Sequence, residues 1–152
     1  MAFIPKDARW YVADLVLEFT IDRDDTNVVH INTHLIEAGS PEQAYQKAND
    51  LGRDGEHEYT NTDGERVCVT FRGLQDLNVV HEALEDGVEL FYDEMVGLSE
   101  DEVRQRVKPR EELAVFSSRH RRRELPNYLS QEVVDLMREA GWSGEDADRD
   151  DD

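Results

Sequence analysis

Cysteine is nearly absent from this chain. Cys68 is the only one among 152 residues, which excludes an intrachain disulfide framework and any multi-cysteine zinc site. Lysine is almost as scarce, with Lys6, Lys47 and Lys108 set against 14 arginines. Long apolar runs are missing too. None approaches the ~20 residues that a membrane span needs, and the opening Met1-Ala2-Phe3-Ile4-Pro5-Lys6 lacks the apolar stretch of a secretory signal. No glycine-rich loop of the dinucleotide or P-loop type occurs, and no Gly-x-Ser-x-Gly elbow. The expectation is a soluble, cytoplasmic protein without a cofactor and without a membrane partner.

What the chain has in excess is acid. Its 36 Asp and Glu residues against 17 Lys and Arg give a formal charge of −19. Such a surface repels nucleic acid and anionic membranes and attracts basic partners. A host whose whole proteome is acidic explains this more simply than a mimic of nucleic acid does. The charge is uneven. Residues 1–116 hold 26 acids and 11 bases, whereas Arg119, Arg121, Arg122 and Arg123 make a short basic run before an acidic end. This shift divides the chain into an α+β domain over 1–116, a basic linker over 117–129, an amphipathic helix over 130–142 and a disordered acidic tail over 143–152.

Hydropathy periodicity supplies the elements. Residues 10–21 alternate, with Tyr11, Ala13, Leu15, Leu17, Phe19 and Ile21 on one face of a strand. Residues 28–37 make a second strand, joined to the first by the polar turn Asp22–Asn27 as an antiparallel hairpin. Ser40-Pro41-Glu42-Gln43 opens a helix with a capping box. Ala44, Tyr45, Ala48 and Leu51 form its stripe, and Gly52 takes the C′ position. Residues 56–60 and 66–72 form a second hairpin around Asn61-Thr62-Asp63-Gly64. A short helix capped by Asp76, a strand over 88–95, a helix opened by Ser99-Glu100-Asp101-Glu102, and a last strand over 113–116 follow. Ser130 caps a final helix whose C′ residue is Gly141. The fold class is α+β: an antiparallel sheet of four to five strands, helices mainly on one face, and a C-terminal helical arm.

The order of these residues resembles a bacterial family, the domain of unknown function 4288. The likeness is carried by Trp10-Tyr11, Glu37-Ala38, Ser40-Pro41-Glu42-Gln43-Ala44, Glu58-Tyr59, Asn61 and Gly64-Glu65. It continues through Phe71, Gly73-Leu74, Asp76-Leu77, Gly87 and Glu89, over about residues 10–116. The resemblance implies a small α+β domain and transfers no catalytic residue.

Parity selects the candidate site. Matching the apolar faces of the first hairpin requires odd residues opposite odd ones. Asp14, Glu18, His30, Asn32 and His34 then share the other, solvated face. A general acid–base site is conceivable there, with Cys68, Thr70 and Arg72 beside it. A metal held by both histidines is not, because four residues of strand span ~13 Å while ligand bonds are ~2 Å. The leading expectation is a non-enzymatic protein-binding or regulatory module whose partner is another protein or a second copy of the chain. Its contact residues would be that sheet face, the arginine run, and Val133, Met137 and Trp142 of the terminal helix. A small-molecule or metal-dependent enzyme using the histidine and carboxylate face is one alternative, and an acidic inhibitor or mimic targeting a nucleic-acid-binding protein is the other. So acidic a chain is expected not to take nucleic acid itself as a partner.

Overall fold

A computed structural model of the chain describes residues 3–117 and 125–141. The chain divides into two compact units. The first runs to Tyr92 and takes in Pro126–Val133; the second begins at Asp93 and resumes at Val134.

The first unit is a curled antiparallel sheet of four strands in the order β2-β1-β4-β3. Strand β1 is Trp10–Ile21, β2 is Val28–Glu37, β3 is His57–Thr60 and β4 is Arg66–Val79. Helix α1, Pro41–Asp54, connects β2 to β3. Ser40 caps it by accepting from the Gln43 N–H at 3.1 Å, while Gln43 Oε1 reaches back to the Gly39 N–H at 2.6 Å. The core lies between α1 and one face of the sheet. Tyr11, Ala13, Leu15, Ile36, Ala38, Ala44 and Ala48 are buried there, with Phe71, Leu74, Leu77 and Val79 packed against them.

Strand β4 shows how the core face stays apolar over its length. It carries two more residues than the stretch of β1 it faces, and the register shifts twice, between Asp14 and Leu15 and between Val16 and Leu17. Each shift is a bulge, which reverses the inside–outside phase of the strand. Val67, Val69 and Phe71 therefore face β1's Ile21, Phe19 and Leu17, and Leu74 still faces Leu15 and Leu77 still faces Ala13. Between the two bulges Gly73 has φ of +134°, a conformation that glycine adopts without a steric penalty.

Six expectations are corrected. Residues 76–79 continue β4 rather than open a helix, because β1 is 12 residues long and its first half needs a partner. Pairing across the sheet overrides the helical spacing of Leu77, Val80 and Leu84. Residues 88–95 and 113–116 form no strand; Arg110–Glu112 is a single 3₁₀ turn, and turns follow it. Gly52 lies inside α1 rather than beyond it, since the helix runs on to Asp54 with Gly55 as its cap. The buried stripe of α1 is Ala44, Ala48 and Gly52, while Tyr45 and Leu51 face solvent.

The sixth correction bears most on function. In the β1–β2 pair, Tyr11 faces Ile36, Ala13 faces His34, Leu15 faces Asn32 and Leu17 faces His30. Odd residues thus oppose even ones. A turn with an even number of residues, Asp22–Asn27, separates β1 from β2 and dictates this parity. Its closure is visible in Asp24 N–H donating to Ile21 O and Thr26 N–H donating to Asp24 Oδ1. Burial of Ile36 and Ala38 in the core secures the register from the other end.

In the second unit, α2 is Glu100–Gln105, opened by the expected capping box: Glu102 N–H donates to Ser99 Oγ, and Ser99 N–H to Glu102 Oε2 at 2.7 Å. Helix α3, Gln131–Glu139, straddles the division between units. Val133 N–H donates to Ser130 Oγ at its start, and Gly141 has the positive φ of a C′ residue.

Candidate functional site

The register splits the five sheet residues into two groups on opposite faces. His30, Asn32 and His34 lie on the core side with Leu17, Leu15 and Ala13, half-buried rather than solvated. Asp14 and Glu18 lie on the other side. On that far face Asp14 accepts from the Thr33 hydroxyl at 2.7 Å, and Glu18 accepts from Asn27 Nδ2 at 2.6 Å and pairs with Arg72 at 3.7 Å. Thr70 stands opposite Glu18 and Cys68 opposite Thr20, so the thiol shares the carboxylates' face. The sheet itself separates the imidazoles from the carboxylates, and these residues do not form one acid–base cluster. Among the described residues no group of three or more His, Cys, Asp or Glu is placed to hold a metal ion.

Each histidine has its own surroundings. The His30 ring lies 4.7 Å from Phe19 and meets Tyr128 edge-on at 5.2 Å, and Tyr128 closes the triangle at 5.5 Å from Phe19. His34 and Asn32 line an open groove of about 340 Å³ with Leu15, Leu17, Leu51, Gly52, Asp54 and Gly55.

Asn127 and Tyr128, which the sequence reading left without a role, join the late chain to the sheet. The buried hub is Asn61, 1% exposed. Its Oδ1 accepts from the N–H groups of Asp63 at 3.0 Å and Glu65 at 2.8 Å, and its Nδ2 donates to Asn127 O at 2.9 Å. Asn127 Nδ2 in turn donates to Thr62 and Asp63, each at 2.8 Å. The Tyr59 hydroxyl donates to Tyr128 O, and Asn61 bridges Ser130. One signal was available: Pro126-Asn127-Tyr128-Leu129 sets an aromatic and a leucine in a stretch otherwise rich in charge.

The groups with displaced ionisation lie elsewhere. A hydrogen bond to Glu58 raises Arg66 above its ordinary value, and the Ser99 N–H holds Glu102 below the ordinary carboxylate value. On α3, Val133 and Met137 are exposed together with Leu136, an apolar face at helical spacing, while Val134 is buried. Arg119, Arg121, Arg122, Arg123 and Trp142 lie outside the described residues.

The far face of β2 carries the apolar surface of interest. Val29, Ile31 and Leu35 are 50%, 43% and 44% exposed, while Val28, His30, Asn32, His34 and Ile36 between them turn inward. Among the described residues, strand β2 lies at the edge of the sheet and has β1 as its single neighbour.

A family model, described as a domain of unknown function (DUF4288), matches residues 10–92, more than half of the chain. The chain belongs to this family. The matched span covers the whole sheet with α1 and stops at the division between the two units. No curated protein and no solved structure matches the chain. Among the described residues of this DUF4288 protein, no helix is long and apolar enough to cross a membrane.

Proposed function

We propose that the protein is a non-enzymatic binding or regulatory module that works in the cytoplasm through contacts with other protein chains. The observation that carries this reading is the outward stripe Val29, Ile31 and Leu35, about half exposed on an edge strand of a protein carrying −19 charges. Apolar side chains gain roughly 25 cal/mol for each Å² of surface withdrawn from water, and an unpaired strand edge adds a row of backbone donors and acceptors for a partner to complete. The exposed face of α3, with Val133, Leu136 and Met137, supports the same reading.

Affinity capture with the full chain, with Ile31→Lys and with Val133→Glu/Met137→Glu tests it, each eluate being compared by mass spectrometry. The expected result is a partner held by the wild-type chain and lost from at least one of the folded variants. Identical catches from all three overturn the reading.

A further inference from the structure

The two edges of the sheet are treated very differently. Strand β3 is four residues long, carries Glu58 in an ion pair with Arg66, and is tied through Tyr59 to Tyr128. Short length, charge and cover are the usual devices that keep a strand edge from pairing with another chain. Strand β2 has them only at its last residue, where Glu37 pairs with Arg9 and its carbonyl accepts from Lys47 Nζ. Its ten residues pair with β1 in unbroken register from Val28 to Glu37, without proline, glycine or bulge. Residues 26–36 carry no Asp, Glu, Lys or Arg, the longest such stretch in a chain where 35% of residues are charged.

The sequence of β2 also mirrors itself. Around Asn32 stand Ile31 and Thr33, both β-branched; then His30 and His34; then Val29 and Leu35; then Val28 and Ile36. A two-fold axis generates an isologous contact, in which residue i meets residue j and j meets i. Antiparallel pairing of two β2 strands about Asn32 sets each residue against its chemical match. On the far face Val29 would meet Leu35 of the second copy and Ile31 would meet Thr33, so the exposed apolar residues cover one another. On the core side the histidines would stand opposite one another and Asn32 opposite Asn32. Glu37 would meet Asn27, and no carboxylate would face a carboxylate along the seam.

We propose that two copies of this chain associate through their β2 edges, antiparallel about a two-fold axis at Asn32, to form a continuous eight-stranded sheet. The inference rests on the reading of β2 as a contact surface and names its occupant. Charge favours a second copy over a basic partner, because the seam is the part of this acidic surface without charge to complement. Association of two chains at −19 therefore strengthens as salt screens their repulsion, whereas binding of a basic partner weakens.

Sedimentation of the full chain, from low micromolar to several hundred micromolar, at low and at high salt, reads the association directly. The expected species has twice the 17.6 kDa of one chain and is favoured by salt. Ile31→Lys and Thr33→Lys, each placing like charges about the axis, weaken it about tenfold or more with the circular dichroism of the folded chain retained. Asn32→Cys in a Cys68→Ser background reports the register: paired strands hold opposed Cα atoms ~4.5–5.5 Å apart, within disulfide reach. Mild oxidation is expected to link Asn32→Cys chains to each other and to leave Val29→Cys chains, whose partner is Leu35, unlinked. A chain that stays monomeric throughout, or a dimer indifferent to the lysines and to the cysteine positions, overturns the pairing. A monomer that captures a partner which Ile31→Lys loses overturns the pairing and leaves the binding-module reading standing. Capture unchanged by the β2 and α3 variants overturns that reading, whatever the oligomeric state.

Discussion

Replacing Gly52 by alanine tests how α1 is seated on the sheet. The position is in the last full turn of the helix, over the ring of Phe71. A Cβ there would stand 2.5 Å from Cδ2 and 2.6 Å from Cζ, and would press on Cε2 as well. Two effects compete. Alanine is the better helix former by about 1 kcal/mol, which taken alone stabilises the variant. Overpacking a filled core costs about 1–3 kcal/mol. Overlap with three ring carbons at once belongs at the upper end of that range, because the ring must move bodily rather than bend away. The net expectation for Gly52→Ala is destabilisation of about 2 kcal/mol. The decisive comparison is the same substitution in a Phe71→Ala background. There the obstacle is gone and only helix propensity remains, so Gly52→Ala becomes stabilising by about 1 kcal/mol. The implied coupling of about 3 kcal/mol is at the top of the range for residues in contact. Urea unfolding of the four proteins, followed by far-ultraviolet circular dichroism, measures each term. A wild-type background in which Gly52→Ala is neutral or stabilising refutes the packing argument, as does an effect of the same sign and size in both backgrounds.

Asn61→Ala removes a buried side chain that satisfies two backbone N–H groups and one carbonyl. The expected loss is about 2–4 kcal/mol, with faster hydrogen exchange at the Asp63 and Glu65 amides; unchanged exchange there would contradict the hub role. Glu102 should titrate below an ordinary glutamate, because its ionised form accepts from the Ser99 N–H. Since its folded value is depressed, the stabilisation of the α2 cap is present above the unfolded carboxylate value and lost as pH falls through the folded one. A carbon-detected NMR titration that finds Glu102 at or above the ordinary value removes this account.

The residues themselves determined much of this protein. Alternation fixed β1 and β2 to the residue, because a half-buried strand repeats every two positions whatever it packs against. Local chemistry placed the starts of α1, α2 and α3, since Ser40, Ser99 and Ser130 need only the amides of their own first turns. The ordered series from Trp10 to Glu89 carried the family. Everything that depended on a neighbour was decided by the tertiary structure. Which face of β2 turns inward followed from the even count of the Asp22–Asn27 turn and from Ile36 meeting Tyr11, and it sent His30 and His34 to the core side, away from Asp14 and Glu18. The length of β4 followed from the length of β1, which drew residues 73–79 into the sheet through two bulges despite their helical spacing. Gly52 resembled a helix terminator until the ring of Phe71 gave it a place inside the helix. Hydropathy counts how many apolar residues a strand has. It does not state which side of the sheet will receive them, because that choice belongs to turn closure and to partners far along the chain.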